Sequence, residues 1–217
     1  DTFDSFGLVI IDETHRCPSR EFSKSLQKIN SKYMLGLSAT PNRKDGLTKV
    51  FKMFLGDVFH KEALKTNNNV NVRLYKFEVE DNDFNEVIYD YRGNPQYSTM
   101  ISKLCNYNKR TEFILDILKN LLIENPSQQI LILGHNRSLL HYLFDAIVHR
   151  NMATVGYYLG GMKETQLKES ENKKVIIATY SMASEGLDIK SLSTLIMATP
   201  KTDICQSVGR ILRTNEH

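Results

Sequence analysis

Leu8-Val9-Ile10-Ile11-Asp12-Glu13-Thr14-His15 is a run of four apolar residues that leads directly into two carboxylates. An unbroken apolar run of this length is expected of a strand buried on both faces of a parallel sheet. In open α/β sheets, ligands bind at the carboxyl edge of such strands. The stretch therefore predicts a parallel-sheet domain with Asp12 and Glu13 at its working edge. Just downstream, Phe22, Leu26 and Ile29 have helical spacing. Tyr33 to Leu37 reads as a second short buried strand that ends in the loop Ser38-Ala39-Thr40-Pro41. Asp45-Gly46 marks a turn, and Leu47 to Phe54 reads as another short helix.

The same reading continues along the chain. Residues 61–72, with three consecutive asparagines, read as a linker. Val72 to Val79 alternates apolar and polar residues and predicts a strand. Residues 81–108 are polar and tyrosine-rich; they read as an insertion with a short helix near Thr99 to Leu104. Lys109 to Ile123 places Phe113, Ile114, Ile117, Leu118, Leu121 and Leu122 on one face, an amphipathic helix. Ile130 to Leu133, Val155 to Leu159, Val175 to Thr179 and Thr194 to Met197 read as strands. Ser138 to Val148 reads as a helix capped by Asn136 or Ser138. Strands alternating with helices give an α/β class with parallel sheets. Residues 1–60 are expected to form half of one such domain, and residues 73–217 a second, nearly complete one.

Composition sets the outer bounds. The 217 residues, 41% of them hydrophobic and 24% charged, fit an ordinary globular chain. A net charge of +3 permits contact with nucleic acid without requiring it. Cys17, Cys105 and Cys205 are far apart and match no metal-ligand spacing, so a reduced intracellular setting is expected. No apolar run approaches the ~18 residues of a membrane span, which makes a soluble protein the expectation. Nucleus and cytoplasm are not distinguished.

Four segments carry chemistry. At the tip of a buried strand, one carboxylate suits a hydrated Mg²⁺ and a neighbouring one suits a water to be activated. An isolated Asp-Glu pair, however, is more often a turn or a helix cap. Leu35-Gly-Leu-Ser-Ala-Thr-Pro41 offers small hydroxyls at a strand end, able to bridge loops by hydrogen bonds. Ala178 to Ile189 (ATYSMASEGLDI) holds a glycine and an aspartate in a loop after a strand. Gln206-Ser-Val-Gly-Arg210-Ile-Leu-Arg213 places two guanidiniums three residues apart, on one side of a helix. Such forks bridge phosphate oxygens and keep their charge, although a solvated basic face gives the same spacing. Arg43, Lys44, Lys49, Lys52, Lys61 and Lys65 form the densest basic stretch, which reads first as a solvated face. The tyrosines at 89, 91, 97 and 107 suit base stacking or packing of the insertion.

In this order, the four segments resemble the superfamily 2 DExH-box helicases, of the XPB-like branch and the phage and large-virus type. The resemblance implies two RecA-like domains, the first incomplete at its N-terminus, with ATP hydrolysed between them to move along nucleic acid. It implies ATP and Mg²⁺ as cofactors, with Asp12 holding the metal and Glu13 acting as general base. His15, Ser38 and Thr40 take coupling roles. Gln206, Gly186 and Asp188 face the nucleotide, while Arg210 and Arg213 stabilise the transferred phosphoryl group. Gly134, His135 and Thr179 take nucleic-acid roles. The threonine usual six residues before the glycine of that third motif is replaced by Tyr180, which leaves Thr179 and Ser181 as candidate hydroxyls. DNA is the expected track ahead of RNA. No G-x-x-x-x-G-K-[ST] phosphate loop occurs in the 217 residues. The chain is therefore expected to be the rear part of a motor whose Walker A segment lies upstream, and to be inactive alone. The alternative is a truncated or degenerate remnant that binds nucleic acid or a protein without catalysis.

Overall fold

The computed structural model describes residues 5–17, 20–38, 46–62, 71–185, 187 and 189–201. They fall into two compact units, Asp1–Val72 and Arg73–His217.

In the first unit, β1 (Leu8–Ile11) and β2 (Tyr33–Gly36) pair in parallel, with Leu8 opposite Tyr33 and Ile11 opposite Gly36. A parallel pair requires a crossover, and α1 (Arg20–Leu26) lies within it. A further helix, α2 (Thr48–Leu55), follows. Among the described residues, the core of this unit comprises Ile11, Cys17 and Leu26, with Val9, Ile29, Met34, Phe54 and Leu55 packed against them. The expectation that β1 is buried on both faces is corrected here. Side chains alternate along a strand, so Val9 and Ile11 turn to this core, whereas Leu8 and Ile10 are 51% and 56% exposed. No described element covers that second face.

The expected strand at 72–79 is also corrected. Residues 71–81 belong to no helix or strand, and Leu74 is almost fully exposed. The segment is held instead by side chains. Phe77 packs edge-on to Phe84 and Tyr107 and at a tilt to Phe113, and Arg73 Nη1 lies 2.7 Å from Glu124 Oε2. Of the alternating apolar residues, Phe77 supplies the ring contacts, whereas Val72 and Leu74 are exposed. The insertion contains α3 (Asn82–Asn85), capped by the Asp81 carboxylate, and α4 (Tyr97–Asn106).

The rest of the second unit is an all-parallel sheet in the order β4-β5-β3-β6. Its strands are β3 (Gln129–Gly134), β4 (Val155–Tyr158), β5 (Val175–Thr179) and β6 (Leu192–Met197). Helix α5 (Asn108–Glu124) precedes β3, and α6 (Arg137–His149) follows it. The Asn136 side chain accepts the Ser138 N–H at 2.8 Å, which satisfies one of the orphan donors at the start of α6. Two shorter helices among the described residues are α7 (Glu164–Glu171) and α8 (Tyr180–Glu185). The core divides by residue parity. Ile130, Ile132, Val175, Ile177 and Ile196 meet α4, α5 and α6 on one face. Leu131, Leu133, Ile176 and Ala178 meet Tyr180, Ala183, Leu187 and Leu192 on the other.

Gly156 in β4 lies directly beneath α7. A Cβ at that position would sit 2.8 Å from the Ser170 Cβ and 2.9 Å from its Cα, which is backbone that cannot rotate away. Gly156→Ala is therefore expected to lower stability by about 1–3 kcal/mol through overpacking. An unchanged urea midpoint would contradict this packing.

Candidate functional site

At Ile11 the strand ends and the chain turns at once. Glu13 has φ 50 and ψ 46, in the left-handed region, and Thr14–Arg16 forms a single 3-10 turn. A non-glycine residue in that region is strained by roughly 1–2 kcal/mol, so its surroundings must hold it there. They do so through the Leu37 backbone. Thr14 donates both its N–H (2.9 Å) and its hydroxyl (3.1 Å) to the Leu37 carbonyl, and the Leu37 N–H donates to the Ile11 carbonyl at 2.9 Å. Gly36 makes room for this arrangement: a Cβ there would lie 2.7 Å from Thr14 Cγ2 and 2.8 Å from Leu55 Cδ1.

Within this clamp, the Asp12 carboxylate accepts the Glu13 N–H at 2.8 Å. The imidazole Nδ1 of His15 is 3.1 Å from Ser38 Oγ and also 3.1 Å from Glu13 Oε2. Glu13 Oε2 is buried and makes no hydrogen bond among the described residues. Its approach to His15 is within ion-pair distance of a protonated ring, and the same Nδ1 also meets Ser38 Oγ. The fold brings Ser38, a whole crossover away in sequence, to His15 in the Asp12–His15 turn. Thr40 lies outside the described residues. Thr14 and Gly36, which hold this turn, were missed in the sequence; the signal was the glycine that closes the second strand.

The strain at Glu13 can be measured independently of any activity. Glu13→Gly is expected to be about 0.5–1 kcal/mol more stable than Glu13→Ala, because glycine adopts the left-handed backbone without cost. Equal unfolding free energies of the two variants would show that the turn is not strained.

A second group lies at the carboxyl edge of the second sheet. Gly134 closes β3, and Thr179 closes β5. The His135 N–H donates to Thr199 Oγ1 at 3.1 Å, and the His135 Nδ1 lies 2.8 Å from the same oxygen. In the neutral tautomer with its proton on Nε2, the ring accepts the hydroxyl proton at Nδ1. Burial, followed by the nearby Lys201 charge, holds the His135 pKa below its ordinary value, which favours this neutral form. The Tyr180 ring packs 4.7 Å from His135, and its hydroxyl donates to the Thr199 carbonyl at 2.5 Å. Burial pushes the Tyr180 pKa up to about 12. The tyrosine that replaces the usual threonine is therefore a buried packing residue. Thr179 Oγ1 and Ser181 Oγ lie side by side at 3.2 Å, so the two candidate hydroxyls form one pair. Gly186, Asp188, Gln206, Arg210 and Arg213 lie outside the described residues.

These elements match known families. Residues 1–43 match the family described as type III restriction enzyme, res subunit, and residues 113–215 match the helicase conserved C-terminal domain. A protein of Acanthamoeba polyphaga mimivirus named as an ATP-dependent RNA helicase is 40% identical over 218 residues, covering 97% of this chain and 41% of that protein. In both matched segments this chain is similar to superfamily 2 helicases. A protein of Escherichia phage T5 named as a helicase is 28% identical over 219 residues, covering 97% of this chain and 46% of its own length. The chain thus spans less than half the length of these relatives. In fold, it is similar to S. cerevisiae Dbp5 bound to RNA and ADP BeF3, with a TM-score of 0.55 and 14% identity over 95% of this chain and 49% of that one. The α/β architecture with parallel sheets is accordingly RecA-like.

The state of His135 sets a pH dependence. Its folded pKa lies below the usual 6.5, so its contribution to stability is complete above that value and is lost as pH falls through the folded pKa. Urea unfolding at about pH 7.5 and about pH 5.5 should show a larger acid loss for the parent chain than for His135→Gln. Equal losses would remove His135 as the cause.

Proposed function

We propose that this chain is part of an ATP-driven motor that moves along nucleic acid. The single observation that carries this reading is the strained acidic turn at the tip of β1, hydrogen-bonded through His15 to Ser38. A turn that merely connects two elements has no need of a strained carboxylate beside a second, exposed one. In this reading Asp12 takes Mg²⁺. That ion keeps several waters and requires only one or two carboxylates, so the single exposed Asp12 carboxylate fits it. The bound ion would neutralise phosphate charge. Glu13 orients and deprotonates the attacking water. His15 and Ser38, with Thr40, report the state of the nucleotide to the rest of the chain. Asp188, Gly186 and Gln206 hold the nucleotide, and Arg210 and Arg213 stabilise charge on the transferred phosphoryl group. Gly134, His135 and the Thr179 hydroxyl line the path of the polynucleotide backbone.

DNA is the track we assign, on the resemblance to phage and large-virus DNA helicases. The names of the mimivirus relative and the Dbp5 complex favour RNA as a second reading. Stimulation of ATP turnover in the full-length protein by DNA or RNA oligonucleotides of one sequence decides between them. In that protein, Glu13→Gln should keep ATP binding and abolish turnover. Arg213→Ala should lower turnover by about 10³-fold with binding less affected, the scale of an arginine finger. A Glu13→Gln protein as active as its parent would favour the remnant reading, in which the chain binds without catalysis.

A further inference from the structure

Two tyrosines of the insertion, Tyr89 and Tyr91, lie on a hairpin formed by residues 88–96. Tyr89 and Pro95 pair antiparallel. The Gln96 N–H donates to the Ile88 carbonyl and the Asp90 N–H to the Asn94 carbonyl, each at 2.8 Å. At the tip, the Asp90 carboxylate accepts the Arg92 and Asn94 N–H groups at 2.8 and 2.9 Å, and Gly93 supplies the left-handed residue with φ 79. Two further bonds tie the base of the hairpin to α4. The Ile88 N–H reaches Met100 Sδ at 3.5 Å, and Lys103 Nζ donates to the Glu86 carbonyl at 2.8 Å. Helix α4 is in turn fixed to the core through Ile101 and Cys105. This firmly held turn displays an aromatic ring to water. Tyr91 is 88% exposed, and the Arg92 guanidinium carbon lies 5.0 Å from its ring centroid. One face of the ring is covered by the guanidinium, and the opposite face is open. The hairpin also has a defined place. Tyr97, which opens α4 directly after it, donates to the Pro200 carbonyl at 3.1 Å. The residue before Pro200 is Thr199, whose hydroxyl meets His135. The hairpin thus adjoins the carboxyl edge of the second sheet.

We infer that this hairpin is a stacking platform for an unpaired base of a single-stranded nucleic acid, with Tyr91 against the base and Arg92 behind the ring. The inference rests on the proposed function for the presence of a strand at that edge. Every base has a π-face, and an aromatic ring stacks on it whatever the sequence. Arg92, flat against the other side of the ring, keeps its outer N–H groups for a phosphate. Charge alone would not draw a polynucleotide here: residues 81–108 carry Asp81, Asp83, Glu86 and Asp90 against Arg92 and Lys103. Asp81 and Asp90 are engaged with backbone donors, and the contact is made by the ring. Because the turn is already rigid, little freedom is lost when a base settles on it. Paired bases are stacked on one another, so the platform selects single strands over duplex. A protein partner would be met by further apolar surface around such a ring. The other residues of the tip, Asp90, Arg92 and Asn94, are polar.

In the full-length protein, Tyr91→Ala should weaken binding of a labelled oligodeoxythymidylate at least about fivefold, the lower end of one base–aromatic stack. Tyr91→Phe keeps the ring and should bind within about twofold of the parent, the scale of an inert surface change. Tyr91→Leu, which keeps bulk without a π-face, should lose as much as the alanine variant. Binding of a blunt duplex should be the same in all four proteins. The slope of log affinity against log salt should be unchanged in Tyr91→Ala and shallower by about 0.7 in Arg92→Gln, the share of one phosphate contact on a single strand. On irradiation, a strand carrying 5-iododeoxyuridine should crosslink to the parent within the peptide that contains Tyr91. A parent that binds no oligonucleotide refutes the proposed motor and the platform together. A parent that binds the strand and hydrolyses ATP, with Tyr91→Ala binding equally well, overturns the platform alone and leaves the hairpin to a protein partner. Equal losses in the phenylalanine and alanine variants, or the same loss on duplex as on single strand, also overturn it.

Discussion

A parallel sheet must be covered on both faces, and this requirement organises the second unit. Parallel strands are joined by crossovers that lay helices on the sheet, and every residue of β3 is consequently buried. Two consequences follow. The interior of the sheet is given over to aliphatic packing, with no place for chemistry. And because all four strands point the same way, their carboxyl ends share one edge, which brings Gly134, Thr179 and Thr199 together from three strands. The polar residues of the unit gather where the packing stops.

The first unit reaches a comparable end by different means. Among the described residues its core has three buried apolar side chains, few to fix a turn by packing alone. Hydrogen bonds to the Leu37 backbone hold the Asp12–His15 turn instead, and Gly36 allows Thr14 to come close enough to make them. The energy that keeps Glu13 in a left-handed backbone is therefore local. It depends on the register of β1 against β2, which sets Ile11 opposite Gly36.

What could be read from the sequence follows from the same physics. The strands β3 and β5 were legible almost to the residue, because four or five contiguous aliphatics have no other stable setting. Helix α5 was legible because its apolar residues recur at helical spacing, and α6 because Asn136 marks its start. Helix α7 was not legible: Leu167 is its one apolar residue, so periodicity had nothing to register. Helix α8 was hidden because it begins immediately after β5 with no connecting loop. Val72 to Val79 was misread because its alternation of apolar and polar residues is the pattern of a strand, whereas here Phe77 packs against rings of the insertion and α5 and the backbone pairs with no strand. Within the site, Asp12, Glu13, His15 and Ser38 were legible from their motifs. The residues that position them were not, since Thr14 and Gly36 act through a backbone carbonyl and close approach, and one-dimensional spacing does not record either.

Tyr180 shows how a departure from a motif is explained by its surroundings. Read along the sequence, it removes a hydroxyl from the position where relatives carry one. In the structure, its ring fills the space against His135, and its hydroxyl holds the Thr199 carbonyl. A threonine is too short to do either. A neighbouring pair, Thr179 and Ser181, presents hydroxyls at the same edge, so the chemistry open to a small residue is retained one position to either side. The substitution thus exchanges one exposed hydroxyl for a buried anchor. On either side of Thr199, Arg110 donates to the Ala198 carbonyl and Tyr97 to the Pro200 carbonyl.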